Sequence, residues 1–257
     1  MKNIINWKLF FILLVLCVIA SMLVIPYSLA LSPNKIEITP LILLLSLVQN
    51  LVLFAVVVFW GLFFSKRVEM GAPVLQGFLE GKNKTKELKS LLAHSIGLGV
   101  LTGVLIVLIS IPFSKTTPEL QALDTSIPAW KSFLASFYGG IAEEILLRLF
   151  LVSLFVWITF KIKKSQDGKP LVFGIWLSIV LAAVIFGLGH LPATARITPL
   201  TVAIIIRAIV LNGIGGVVFG WLYWKRGLEA AIIAHFSTDI ILYVIAPFVV
   251  SFFSFQI

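Results

Sequence analysis

The sequence predicts an all-α fold, a polytopic transmembrane helix bundle of about seven or eight crossings that encloses a polar cavity within the membrane. Composition is the first reason, because 60% of the 257 residues are hydrophobic and only 12% are charged. A soluble domain carries about 25% charged residues. The second reason is that the apolar residues form several long stretches, and only a lipid bilayer can solvate so many of them. The third is that ionisable residues recur inside the last of these stretches.

Seven apolar stretches are long enough to cross a membrane. A crossing helix needs about 20 residues, because each residue adds about 1.5 Å and the hydrocarbon core is about 30 Å thick. The stretches are 9–31, 41–64, 91–113, 129–160, 171–191, 200–224 and 228–253. The first follows Lys2 and Lys8 and contains Ser28-Leu29-Ala30, which resembles a signal-peptide cleavage site. Its apolar run is long for a cleaved signal, so we interpret it as a crossing.

Basic residues are concentrated between alternate stretches, in segments 65–90, 161–170 and 225–226, and at the N-terminus. The positive-inside rule therefore predicts seven crossings with a cytoplasmic N-terminus, in the cell membrane. The basic residues that give the chain its net charge of +9 therefore orient the helices in the membrane. They do not indicate nucleic-acid binding. Within this pattern, segment 74–92 alternates lysines with apolar residues and is either an amphipathic surface helix or a solvated loop.

The chain divides into two parts by the polar residues that its apolar stretches carry. Residues 1–125 are predicted to form N-terminal transmembrane helices with the cytoplasmic amphipathic segment, and residues 126–257 a transmembrane core with a functional site. A buried ionisable side chain costs at least about 2.5–3.5 kcal/mol at mid-span, so such residues are functional candidates. The last four stretches contain Glu143, Glu144, Arg148, His190, Arg207, His235 and Asp239.

Two adjacent carboxylates occupy the fourth stretch. Adjacent helical residues point about 100° apart, so Glu143 and Glu144 face different neighbours. Glu144 and Arg148 lie one turn apart and are predicted to form an ion pair, which leaves Glu143 available for proton transfer. The alternative is that both carboxylates only hold helices together.

The histidines lie in later stretches. His235 and Asp239 lie one turn apart, and a carboxylate beside an imidazole can fix its tautomer and support its charge. His190 follows Phe186 by one turn near a helix end, where an interfacial histidine is the simpler interpretation. A stripe of small residues, Asn212, Gly216 and Gly220, predicts close approach of another helix.

Three motifs occur in order, namely E-E-x-x-x-R at Glu143, Glu144 and Arg148, F-x-x-x-H at Phe186 and His190, and H-x-x-x-D at His235 and Asp239. Together they resemble the motifs of the CAAX protease and bacteriocin-processing family, also called the Abi family, which includes the type II CAAX prenyl endopeptidases. The resemblance covers roughly residues 130–245.

The resemblance implies a glutamate-dependent intramembrane endopeptidase that needs no metal or other cofactor and acts on a membrane-associated peptide or protein. It implies that Glu143 with His190 activates a water, and that His235 and the residue at 239 stabilise the oxyanion. Position 239 is often asparagine in the family, and here it is Asp239. A carboxyl group donates a hydrogen bond only when protonated, so Asp239 either carries a proton or orients His235.

Three alternatives remain open from the sequence. Histidines with carboxylates can hold zinc or a di-iron pair, although neither H-E-x-x-H nor E-x-x-H occurs. Buried charges also line ion-coupled transporters, although the halves of this chain show no matching pattern of broken helices. Some members of the family act as immunity or scaffold proteins and the fold does not guarantee proteolysis, so a non-catalytic bacteriocin-immunity or membrane scaffold protein is the third alternative.

Straight helices would keep the candidate residues apart. Counted along complete crossings, Glu143 lies near mid-membrane, His190 near the outer end and His235 nearer the cytoplasmic end. A common site therefore requires a break near Gly139-Gly140, or helices that tilt and break around a wet cavity.

Overall fold

The computed structural model describes residues 5–32, 39–117 and 126–248. Lys2, which was assigned to the cytoplasmic end, and residues 249–253 of the last predicted crossing lie outside these ranges. The described chain is helical and contains no strand, and the predicted helix bundle is confirmed. Its one β-type contact is an isolated bridge between Lys164 and Pro170.

Seven helices of the described chain are long and apolar enough to cross a membrane, as predicted. We call them spans 1 to 7, and they comprise Trp7–Ala30, Pro40–Arg67, Thr85–Ser114, Ala129–Ile162, Val172–Thr194, Val202–Arg226 and Leu228–Phe248.

Several spans contain more than one helical segment. Span 1 comprises α-helices Trp7–Leu23 and Ile25–Ala30, and span 5 comprises α-helices Val172–Gly189 and Leu191–Thr194. Span 3 begins with an α-helix Thr85–Ser110 and ends within a 3₁₀ helix Ile111–Thr116. Span 4 contains Ala129–Phe137, Tyr138–Glu143, Ile145–Val152 and Ser153–Ile162. Span 7 contains α-helix Leu228–Asp239 and a π-helical segment Ile240–Ile245.

Segment 74–92, predicted to be one amphipathic element or a loop, is divided in the structure. A short helix Pro73–Leu79 is followed by a turn, and span 3 already begins at Thr85. Gly81 in the turn has φ +75°, a backbone conformation that favours glycine and ends the short helix. The lysines therefore belong to a turn and to the first part of a membrane span.

The bundle core is built from one face of each span. Span 1 buries Leu9, Leu13, Cys17 and Ala20, at spacings of three and four residues, against span 2 and the middle of span 4. Residues 40–53 of span 2 are, by contrast, exposed or half-buried at every position. Lipid solvates such an apolar surface without polar residues, which explains the low charge of the chain.

Small residues let the spans approach closely. A Cβ atom added to Gly216 would lie 2.6 Å from Ala183 Cβ, and one added to Gly220 would lie 2.7 Å from Ile179 Cγ2. The predicted small-residue stripe therefore packs span 6 against span 5. Its third member, Asn212, donates a hydrogen bond to the Ala208 carbonyl of its own helix at 2.9 Å.

The two connections that precede spans 3 and 7 meet at one end of the bundle. The Leu228 amide donates to the Gly71 carbonyl at 2.8 Å, and the Leu75 amide donates to Glu229 Oε1 at 2.7 Å. This contact places the basic segments 65–90 and 225–226 on the same side of the bundle, which the charge pattern requires. That this side faces the cytoplasm stays a prediction.

Candidate active site

Span 4 supplies the two glutamates from a widened part of its helix. Tyr138–Glu143 and Ile145–Val152 are wound as π-helix between ordinary α-helical segments. One of our two expectations was a break in the helix near Gly139-Gly140. The structure shows no break there, because the helix continues through these residues as π-helix. A π-helical insertion changes the angular register of the side chains that follow it and occurs frequently at functional sites. This winding reconciles a continuous span with side chains that meet span 7.

Glu144 is the centre of a buried hydrogen-bond network. Its Oε1 accepts from Arg148 Nη1 at 2.7 Å and contacts His235 Nδ1 at 2.7 Å. Arg148 Nη2 donates to the Gly216 carbonyl of span 6 at 3.1 Å. Both members of the predicted ion pair are almost fully buried, at 0% and 1% exposure. The network therefore ties spans 4, 6 and 7 together through one carboxylate.

The partner of His235 Nδ1 differs from the sequence-based expectation. We expected Asp239, one turn away, to fix the tautomer of this histidine. The structure gives that role to Glu144, and Asp239 Oδ1 instead lies 3.5 Å from the opposite ring nitrogen, Nε2. Spacing along one helix does not reveal a closer carboxylate on another span.

Aromatic rings enclose the charged network. The Arg148 guanidinium lies 5.3 Å from the Phe186 ring centroid and 5.4 Å from that of Phe219, within the range of cation–π attraction. The Phe219 ring stacks on His235 with a centroid separation of 4.6 Å. The sequence analysis did not identify Phe219, because one more phenylalanine in an apolar span carries no signal of its own.

Glu143 lies beside this network and remains accessible. Its Oε2 is 3.9 Å from His235 Nε2, and 23% of its side chain is exposed, compared with 0% for Glu144. Within the described ranges Glu143 has no hydrogen-bond partner. The two adjacent glutamates therefore differ as the sequence predicted, one fixed by cations and one with free lone pairs.

Asp239 packs directly against the backbone of span 4. A Cβ atom added to Gly139 would collide with Asp239 Oδ2 and would lie 3.3 Å from His235 Nε2. Span 7 is fixed from its other side by Thr238, whose hydroxyl donates to the Gly99 carbonyl of span 3 at 2.8 Å. The absence of a side chain at Gly139 thus leaves the space that Asp239 occupies.

We therefore expect Gly139→Ala to displace Asp239 and His235. Overpacking of this kind costs typically about 1–3 kcal/mol of stability, and any activity of the site should fall strongly. Thermal unfolding in detergent and activity should be measured together. Gly97→Ala is the matched control, since a Cβ there meets no atom within 4 Å. Equal behaviour of the two variants would contradict the assigned packing.

His190 is connected to the other candidates through Phe186. Its Nδ1 lies 2.9 Å from the Phe186 carbonyl, which can only accept, so Nδ1 carries a proton and Nε2 of the neutral ring is a free acceptor. The Phe186 ring contacts both histidine rings, with centroid separations of 4.8 Å to His190 and 5.7 Å to His235. In the described chain His190 makes no ion pair or hydrogen bond with a carboxylate.

Two of the cluster's potential metal-ligand atoms, Glu144 Oε1 and His235 Nδ1, are engaged with each other. Arg148 occupies the same carboxylate oxygen. Across residues 5–32, 39–117 and 126–248, no group of three or more His, Cys, Asp or Glu side chains is arranged to hold a metal ion. Arg207, the remaining candidate cation of span 6, is half-buried and forms no ion pair within the same ranges.

Comparison with known proteins identifies a family that resembles the C-terminal part of the chain. Residues 125–241 match the Rce1-like family, described as type II CAAX prenyl endopeptidase Rce1-like. No curated protein matches this chain, and no solved structure matches it. The matched segment contains the whole cluster from Glu143 to Asp239. With its seven apolar spans, the chain is an integral, multi-pass membrane protein. The resemblance that the motifs predicted is thus confirmed, and residues 125–241 carry the sequence pattern of the Rce1-like type II CAAX prenyl endopeptidases.

Proposed function

We propose that this chain is an intramembrane endopeptidase that hydrolyses a peptide bond of a membrane-associated peptide or protein with a water activated by Glu143. The observation that carries the proposal is the contrast between the two glutamates. Glu144 is fully buried and paired, whereas the Glu143 carboxylate is partly exposed and lies 3.9 Å from His235 Nε2. A general base must have a free lone pair within reach of the proton it removes.

Glu143 and His190 are proposed to bind and activate the water. The Nε2 of the neutral His190 ring can accept one water hydrogen, because its Nδ1 proton is engaged by Phe186. Glu143 takes the proton as the water oxygen attacks the carbonyl carbon. The same proton then passes to the leaving nitrogen as the C–N bond breaks, which regenerates the carboxylate.

His235 and Asp239 are proposed to stabilise the oxyanion that forms on the carbonyl oxygen. Glu144 holds His235 Nδ1 at 2.7 Å, which fixes the ring and supports a positive charge on it. The Nε2 atom then faces the space between Glu143 and Asp239. A fixed donor at this position acts without reorganisation during the reaction, which makes oxyanion stabilisation effective.

The proposed reaction uses protein side chains alone and needs no metal cofactor. Glu144 Oε1 already accepts from Arg148 and contacts His235 Nδ1, so this oxygen and this nitrogen are engaged with protein groups. We further propose that the protein lies in the cell membrane with its N-terminus in the cytoplasm. This orientation follows from the basic segments that meet at one end of the bundle.

A cleavage assay with the purified, lipid-reconstituted protein tests the proposal. Membrane-tethered peptides with and without a prenylated C-terminus are incubated with the protein, and products are identified by mass spectrometry. We expect cleavage of at least one peptide class, unchanged by EDTA or phenanthroline. Loss of cleavage on chelation, with rescue by one added metal, would contradict the metal-free mechanism. Absence of cleavage throughout would favour a scaffold or immunity role.

A further inference from the structure

The carboxyl groups of the site outnumber its cations. Glu143, Glu144 and Asp239 all lie within 4 Å of a ring nitrogen of His235. Arg148 contributes one positive charge, and His235 contributes at most one more. A net charge in a membrane interior is expensive, so an electrically neutral cluster must hold at least one additional proton on a carboxyl group.

Hydrogen bonding makes Glu144 the least suitable holder of that proton, because its Oε2 is buried with no hydrogen-bond partner in the described chain and an O–H there would have no acceptor. Its Oε1 accepts from the Arg148 guanidinium and contacts His235 Nδ1, both at 2.7 Å. Two donors on one oxygen, one of them permanently charged, favour the ionised carboxylate. The additional proton is therefore left to Glu143 and Asp239, whose oxygens approach the same nitrogen, His235 Nε2, at 3.9 and 3.5 Å.

We propose that Glu143 and Asp239 share one proton, and that Asp239 holds it in the active form of the site. The inference rests on the proposed function for its catalytic meaning. Glu143 must be ionised to remove a proton from water, and Asp239 must be protonated to donate a hydrogen bond to the oxyanion. One proton on the pair, placed on Asp239, satisfies both requirements. Two carboxyl groups that share a site avoid simultaneous ionisation in the same way in other enzymes.

The surroundings of Asp239 fit this assignment. Asp239 is buried, with 7% of the residue exposed, and its Oδ2 packs against the Gly139 backbone. The ionisable groups that face it are His235 on its own span and Glu143 and Glu144 on span 4. Span 3 meets span 7 at Gly99 and Gly103, which carry no charge, and span 5 contributes His190 through the Phe186 ring. In the described ranges no lysine or arginine pairs with Asp239.

The proposal predicts an activity that declines when the pair loses its proton. In alkaline solution the shared proton leaves, Asp239 no longer donates, and hydrolysis should fall. Asp239→Asn supplies a permanent amide donor, so its pH profile should lose this alkaline decline. In acidic solution Glu143 becomes protonated in both proteins, so the acidic decline should remain in both. Asp239→Leu, which has a similar shape and no donor, should be inactive at every pH.

A second readout does not require any peptidase activity. Infrared difference spectra of lipid-reconstituted wild type and Asp239→Asn should show that the substitution removes the C=O stretching band of a protonated carboxyl group. The same band should disappear from wild type as the solution is made alkaline. Glu80→Gln, at an exposed carboxylate paired with Lys82, is the control and should leave the band in place.

The two readouts separate the inference from the proposed function. Loss of the band in Asp239→Asn supports the shared proton even when no peptide is cleaved. An unchanged band would overturn the inference whether or not the protein cleaves peptides. Identical pH profiles of active wild type and Asp239→Asn, or an active Asp239→Leu, would overturn it as well.

Discussion

Replacement of Glu143 by glutamine should abolish hydrolysis and leave the fold intact. Removal of a general base lowers rates by about 100- to 10,000-fold, because glutamine cannot accept the proton of the attacking water. Stability should change little, since Glu143 is partly exposed and has no hydrogen-bond partner in the described chain. Peptide cleavage and thermal unfolding in detergent should be measured on the same preparation.

Glu80→Gln provides the control for this substitution. Glu80 is an exposed glutamate that pairs with Lys82 and accepts from Gln76 outside the core, so the same chemical change there should leave cleavage unaltered. Retention of full activity by Glu143→Gln would remove Glu143 as the base. A large loss of stability would instead identify Glu143 as a packing residue.

Truncation of Arg148 should strongly destabilise the protein. Breaking a buried ion pair from one side leaves an uncompensated charge and costs about 3–5 kcal/mol. Here the loss is compounded, because Arg148 also donates to the Gly216 carbonyl and contacts the Phe186 and Phe219 rings. We therefore expect Arg148→Ala to reduce the amount of folded protein in the membrane and its unfolding temperature, together with its activity.

Two further variants show whether the lost charge pair is responsible. Arg226→Ala removes an exposed arginine at the end of span 6 and should leave the protein stable. The double variant Glu144→Gln/Arg148→Met removes both charges and should be more stable than Arg148→Ala alone. Normal abundance and stability of Arg148→Ala would contradict the assigned network.

The sequence predicted the fold because lipid imposes simple requirements. Each crossing must be long, apolar and helical, and all seven predicted stretches correspond to spans of the structure. The Glu144–Arg148 pair was predictable for a similar reason, since both residues lie on one helix at a spacing of one turn. Segment 74–92 was not, because the glycine turn at Gly81 divides an otherwise continuous pattern.

The arrangement of the site was harder to predict than its members. The contact between Glu144 and His235 joins spans 4 and 7, and it depends on the π-helical winding of Tyr138–Glu143 and Ile145–Val152. No residue pattern that we recognise specifies such winding. Counting along straight α-helices therefore placed the candidate residues at different depths, although the folded chain brings Glu143 and His235 together.

The central claim is that Glu143 activates a water that attacks the peptide bond. The most direct measurement is cleavage of a membrane-tethered peptide in water enriched in heavy oxygen, followed by mass spectrometry of the fragments. We predict that one heavy oxygen enters the new carboxyl group of the N-terminal fragment in a single turnover, and that Glu143→Gln yields no fragment. Fragments without the label, or labelled fragments formed equally by Glu143→Gln, would contradict the claim.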